Sequence, residues 1–182
     1  MHEDIEDFDI VCAVTTMSPV SDRTPGPEGG SPLPPVDEQM CFALYTAARA
    51  VTNIYRPHLD PLGLTYPQYL VMMLLWEREE CSVKEIGAVL QLDYGTLTPM
   101  LKRLETRGLL HRGRDPEDER TVRVAATEEG RRLRVRAEGI PDAIGRAIDL
   151  PGDEFEATRL SLGRLRANVL GHGADTPRRR RT

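Results

Sequence analysis

The side chains able to do chemistry are few and do not cluster. Three cysteines stand at 12, 41 and 81, an odd number with no Cys-x-x-Cys, and the four histidines are scattered. Neither a disulfide framework nor a zinc site follows, and no catalytic residue, metal or cofactor is expected. Cys41 lies about one turn inside a long helical stretch, where the positive end of a helix favours a thiolate, while Asp37 and Glu38 oppose it. Taken alone, one cysteine on an apolar helix face reads as inert core, and Cys81 reads as buried filler. The second chemistry is electrostatic. Lys102, Arg103, Arg112 and Arg120 fall within one stretch and could serve phosphate or guanine, or equally be ordinary surface charges.

That stretch runs from Ser82 to Thr127. Ser82 and Glu85 form a capping box before a short helix with Val83, Ile86, Val89 and Leu90 on one apolar side. Gln91-Leu92-Asp93 is a turn, and Asp93 can accept from the free amides of a second helix. There Leu97, Leu101 and Leu104 share a face, while Gly95, Pro99, Lys102 and Thr106 point away. Gly108 ends it. Beyond Leu109 the period becomes two, with Val122, Val124 and Ala126 alternating against Thr121, Arg123 and Ala125 after an acidic tip at 115–119. Helix, turn, helix and hairpin make a winged helix-turn-helix whose second helix has the size to enter a major groove. The candidate DNA contacts are Asp93, Tyr94, Gly95, Thr96, Thr98, Pro99, Lys102 and Arg103 on that helix, with Arg112, Asp118 and Arg120 on the wing. Pro99 leaves two readings open: a helix from Tyr94 with a proline inside it, or regular helix from Pro99 capped by Thr98.

With 182 residues there is room for one ordinary domain plus tails. No run of about 18 apolar residues and no basic signal-peptide start is present, so a cytoplasmic protein with no membrane partner is expected. The net charge of -5 looks wrong for a DNA binder but is unevenly spread. Residues 1–38 hold nine carboxylates against Arg23 alone, which leaves 23 basic and 20 acidic side chains, net +3, over 39–182.

Residues 1–36 read as a disordered acidic, Pro/Gly-rich tail, 37–172 as the folded domain, and 173–182 as a basic disordered tail. Asp37 is expected to cap a first helix reaching Leu59 with two apolar stripes. One is Met40, Leu44, Ala47, Val51 and Ile54; beside it run Cys41, Tyr45, Ala48, Thr52 and Tyr55. So wide a face implies burial from two sides, one of them by a second subunit. Pro57 and Pro61 are expected to bound a short turn of helix, and Thr65 with Gln68 to open the next. YLVMMLLW is apolar all round and reads as the central buried helix, and Cys81-Ser82-Val83 is expected to pair briefly with the wing. After the wing, Leu133, Ala137, Ile140, Ile144 and Ile148 make a seam broken or kinked at Gly139–Pro141. Phe155, Leu162, Leu165 and Val169 then approach heptad spacing. The fold class is therefore mainly α with a small β-wing, a winged helix-turn-helix flanked by N- and C-terminal dimerisation helices. A homodimer would set two recognition helices roughly 34 Å apart, for a palindromic operator in double-stranded DNA.

From Met40 to Leu133 the chain resembles the MarR family of winged-helix regulators, and within it the organic hydroperoxide resistance regulators. The segments that carry the resemblance are CFALYTAARAVTNIYRPHLDPLGLTYPQYLVMMLLWE, LDYGTLTPMLKRLETRGLL and RDPEDERTV. The resemblance implies a repressor whose sensor is Cys41, held by Tyr45 and Tyr55. An organic hydroperoxide, the inducer, would oxidise the sulfur to a sulfenic acid, a small-molecule thiol would cap it, and the operator would be released. Tyr45 is one turn from Cys41, but Tyr55 is 14 residues on, about 21 Å along the helix at roughly 1.5 Å per residue. Tyr55 can therefore meet Cys41 only across a dimer. The resemblance further implies that Asp118 orients Arg120 into the minor groove.

Two departures from the family pattern stand out. Residues 128–182 contain no cysteine, which matches the one-cysteine branch, although Cys12 could reach round as a resolving thiol. Tyr94 stands where the family has a small serine, which bears on the operator sequence. The alternative reading is a MarR-type repressor released by a phenolic or other small ligand, with Cys41 incidental. A thiol peroxidase lacks the thioredoxin-like βαβ pattern it would need.

Overall fold

The computed structural model describes residues 33–116, 118 and 120–175. Most of the N-terminal tail, including Cys12, and the last seven residues lie outside them, as do Glu117 and Glu119 at the wing tip. A 3-10 turn at Val36–Glu38 precedes α1 (Met40–Leu59), and a second at Asp60–Leu62 leads to α2 (Tyr66–Arg78). There follow β1 (Glu80–Ser82), α3 (Val83–Leu90), α4 (Tyr94–Thr106), β2 (Leu110–Arg114), β3 (Val122–Ala126), α5 (Glu128–Ala137), α6 (Ile140–Ile148) and α7 (Gly152–Asp175). The strands form an antiparallel sheet in the order β1-β3-β2, with Cys81 and Arg112 both opposite Val124.

α2 is the hub. Gln68 Oε1 accepts from the Thr65 backbone N–H at 3.0 Å, and Tyr69, Val71, Met72, Leu74 and Leu75 are buried. Met73 is the exception to the all-round apolar expectation and faces outward. Around α2 close Ile86 of α3, Leu97, Leu101 and Leu104 of α4, Val124 of β3, and the seam Leu133, Ala137, Ile140 and Ile144. That seam is broken at Gly139, so α5 and α6 are separate helices. Three expectations about the helices change. Asp37 caps nothing: it lies in the 3-10 turn, where Glu38 N–H donates to Pro35 O and Gln39 N–H to Val36 O, and α1 starts after an extended Gln39. α1 reaches Leu59 as expected, but Pro57 and Pro61 do not bound the short turn: Pro57 lies inside α1, where the Asp60 N–H still reaches Arg56 O, and the turn at Asp60–Leu62 contains Pro61. Val89 is exposed, so the apolar side of α3 is carried by Ile86 with Val83 and Leu90 half-buried beside it.

α1 and α7 are the elements this core does not use up. Leu59 is the one fully buried residue of α1, while Met40 is 67% and Tyr45 56% exposed. On α7, Phe155, Leu162 and Val169 are exposed as well. Met40, Leu44 and Ala47 of α1 face Leu162 and Leu165 of α7 across an open apolar groove of about 560 Å³.

Candidate nucleic-acid interface and thiol site

The reader helix is built as its sequence dictates. Ser82 Oγ accepts from Glu85 N–H at 3.1 Å and Glu85 Oε2 accepts from Ser82 N–H at 2.7 Å, a closed capping box that starts α3. The chain turns at Gln91 in a left-handed conformation (φ 54°). Asp93 then caps α4, its Oδ1 accepting from Thr96 N–H at 2.9 Å and its Oδ2 from the Thr96 hydroxyl at 2.8 Å. Those bonds, the hydroxyl first, hold the Asp93 carboxyl below its ordinary range, so an anion sits on the positive end of the helix. α4 runs unbroken from Tyr94 through Pro99, which settles the two readings in favour of an internal proline. Thr98 is accordingly no cap; its hydroxyl oxygen is buried and makes no hydrogen bond. Leu97, Leu101 and Leu104 bury one face, and Tyr94, Gly95, Thr96, Pro99, Lys102 and Arg103 are exposed on the other.

The wing places two of its three candidates outward. Asp118 accepts from the Arg120 backbone N–H at 3.1 Å and from the Thr121 hydroxyl at 2.8 Å, so it shapes the turn that carries Arg120. Arg120 and Tyr94 line one groove of about 580 Å³ between the wing, α3 and the start of α4. Arg112 is turned inward. Its Nε and Nη2 donate to Glu105 Oε2 at 2.9 and 2.6 Å and its backbone N–H to Glu105 Oε1 at 3.2 Å, which ties the wing to the reader helix. The arginine that sequence reasoning passed over is Arg123, which lies 3.1 Å from Glu80, 3.6 Å from Asp115 and 3.8 Å from Glu85. Only the register β1-β3-β2 brings those groups together, and no spacing along the chain encodes it.

The thiols divide sharply. Cys81 is buried against Val124 at the base of the wing, and burial pushes its thiol up. Cys41 is exposed and is the second residue of α1, nearer the helix end than a full turn. Tyr45, one turn on, is also exposed, and its Oη accepts from Arg49 Nη1 at 2.9 Å. Tyr55 is half-buried. Its ring lies 4.6 Å from that of Tyr66 and 6.0 Å from that of Tyr69, and burial, then these neighbouring phenols, push its hydroxyl up to about 12. Tyr66 thus joins Tyr55 as a second phenol at this place, though sequence reasoning did not single it out. One chain does not bring Cys41 and Tyr55 together, since both ride on the same helix about 21 Å apart at roughly 1.5 Å per residue. Among the described residues no group of acidic, histidine or cysteine side chains could hold a metal ion, and no helix is long and apolar enough to cross a membrane.

A capped reader helix with its polar face outward and a β-hairpin wing beside it define a DNA-binding winged helix-turn-helix regulator. The MarR family profile matches residues 64–122. Over 127 residues the chain is 46% identical to the organic hydroperoxide resistance transcriptional regulator of Bacillus subtilis, covering 70% of this chain and 86% of that one. It is 45% identical over 141 residues to the HTH-type transcriptional regulator TtmR of Methylorubrum extorquens, covering 78% and 72%. Among solved structures, reduced AbfR bound to DNA superposes with a TM-score of 0.61 at 34% identity, over 74% of this chain and 94% of that one; AbfR is a Staphylococcus epidermidis protein. The chain belongs to the MarR family, and it is a transcriptional regulator rather than an enzyme.

Proposed function

We propose that the protein is a homodimeric repressor that holds a palindromic operator in its reduced form and releases it when an organic hydroperoxide oxidises Cys41. The observation that carries this is the contrast between the two described cysteines: Cys81 sealed in the core, Cys41 open at the start of α1 with a phenol one turn away. The relative at 46% identity is named for organic hydroperoxide resistance, and AbfR has been crystallised reduced, overoxidized and in a disulfide form. The chemistry balances. The Cys41 thiolate attacks one peroxide oxygen, the O–O bond breaks, and with one proton the products are a sulfenic acid and an alcohol. A small-molecule thiol then displaces water from the sulfenic acid to leave a mixed disulfide.

A second copy of the chain supplies what one copy lacks. The partner subunit's Tyr55, a phenol that keeps its proton, would stand where a hydrogen-bond donor to the Cys41 sulfur is needed. A bulkier oxidised sulfur at that seam would move the two reader helices out of their one-turn spacing. The DNA contacts follow from exposure: Tyr94, Gly95, Thr96, Pro99, Lys102 and Arg103 on α4, and Arg120 from the wing; exposed Asp93 and Asp118 shape that surface through their backbone bonds, and half-buried Thr98 and Arg112 lie behind it.

Gel shifts with cumene hydroperoxide on the wild type and on Cys41→Ser test the reading. Release by the wild type only, with mass spectrometry locating the adduct on Cys41, is the expected result. Release by both proteins would favour a repressor opened by a ligand, with Cys41 incidental.

A further inference from the structure

We infer that Arg49 is a positioning residue for the thiol site: by donating to the phenol oxygen of Tyr45 it commits the Tyr45 hydroxyl proton to the Cys41 sulfur. This rests on the reading of Cys41 as the sensor. Helical side chains lean toward the N-terminus, so a residue covers the one four positions before it. Cys41, Tyr45 and Arg49 follow one another at intervals of four on α1, which puts all three on one stripe of the helix. The Arg49 half of that ladder is closed. Arg49 Nη1 donates to Tyr45 Oη at 2.9 Å, and the guanidinium carbon lies 5.6 Å from the ring centroid.

The direction of this bond is fixed by chemistry. A guanidinium has donors only, so the Tyr45 oxygen must accept. A phenol has a single proton, and a cation on its oxygen polarises the O–H and makes it a stronger donor. That proton cannot return to Arg49. Tyr45 is 56% exposed, so water competes for that proton, and the acceptor we assign is the one side chain a turn toward the helix start on the same stripe, the exposed sulfur of Cys41. Tyr55 sits in a different setting, packed on Tyr66 and Tyr69. Of the two phenols assigned to the sulfur, the arginine therefore acts on Tyr45.

The test needs neither hydroperoxide nor DNA. The rate of Cys41 alkylation by iodoacetamide at one fixed pH, read on the Cys41 peptide by mass spectrometry, is compared in wild type, Arg49→Met, Arg49→Lys, Tyr45→Phe and the Arg49→Met/Tyr45→Phe pair. Loss of one such hydrogen bond should slow Arg49→Met by roughly threefold to tenfold. Arg49→Lys, still a donor, should recover most of the rate, and the double variant should be no slower than Tyr45→Phe alone. A wild-type rate in Arg49→Met overturns the assignment. So do multiplying losses in the double variant, which would mean that the charge acts on the sulfur without passing through Tyr45. Should this pattern appear while hydroperoxide leaves the operator bound, the sensor reading fails and the Arg49 assignment stands. Release through Cys41 with a flat alkylation series means the reverse.

Discussion

At the scale of single residues, the tightest constraint lies where the wing returns to the core. Gly130, in the first turn of α5, has the Leu109 carbonyl oxygen where a Cβ would have to go, and the Met72 methyl 3.2 Å from that position. The same carbonyl accepts from Thr127 N–H at 3.1 Å, and the Gly130 carbonyl accepts from the Trp76 indole at 2.8 Å, so neither backbone can retreat. Gly130→Ala should cost about 3 kcal/mol or more, read as a lower urea midpoint with an unchanged slope. An alanine variant as stable as the wild type would show that α5 is free to shift. Tyr55 makes a second, independent mark. Burial raises its folded value to about 12 from 10.0, so the unfolded chain loses this proton first as pH rises. Its contribution is complete below about pH 10 and is lost as pH climbs toward 12. In an absorbance titration two phenols, Tyr55 and Tyr69, should ionise late, and Tyr55→Phe should remove one of the two.

Between elements, short ionic ties hold the reader helix to its surroundings. Arg112 holds the Glu105 carboxyl below its ordinary 4.5, chiefly through their side-chain hydrogen bond. A depressed carboxylate stabilises the fold above its unfolded value and loses that effect as pH falls through the folded one. The wing should therefore loosen below about pH 4.5, and Glu105→Gln should flatten that acid limb in a plot of stability against pH. Both side chains are about a third exposed, so the effect at neutral pH is modest. Arg107, just past the end of α4, donates to the carbonyls of Leu62 and Gly63, and Arg136 of α5 donates to Pro61 O. Together they fasten the turn that joins α1 to α2. Arg107→Ala should lower stability by about 1–2 kcal/mol, measurable by thermal unfolding. None of these ties was legible in the sequence, because each joins residues whose spacing carries no period. What was legible was local: the Ser82 and Asp93 caps, the Leu97-Leu101-Leu104 face, the left-handed Gly108 (φ 71°) at the end of α4, and the alternation of β3. The start of α1 was misplaced for a related reason, since Pro34-Pro35 sets up a 3-10 turn that takes Asp37 out of capping position. The candidate site was legible in its residues but not in their states. Arg112 was counted outward until the sheet register turned it onto Glu105, and the Tyr55–Tyr66 pair appears only once α1 folds back on α2.

For the molecule as a unit, the proposed dimer turns on the exposed apolar faces of α1 and α7. Leu162 is 47% and Val169 61% exposed on a 24-residue helix that has no fully buried side chain among its described residues. Exposed apolar surface of that extent marks a site for a partner, and in the proposed homodimer a second copy would cover it with the same residues through a two-fold axis. In the proposed dimer α1 of one copy would present Cys41 to Tyr55 of the other, so thiol chemistry and DNA spacing would share one seam. If so, the double substitution Leu162→Asp/Val169→Asp should sediment as a monomer while the circular dichroism of the winged helix persists, because no core residue of α2 to α6 is touched. Operator affinity should then fall by about a hundredfold or more, since each reader domain keeps its own half-site contacts but loses the effective concentration that a joined second domain provides. A palindrome cut to one half-site should bind wild type and variant alike. A variant that stays dimeric, or a monomer that holds the full operator as tightly as the wild type, would break the link between the helical seam and the spacing of the readers, and with it the route by which an oxidised Cys41 could release DNA.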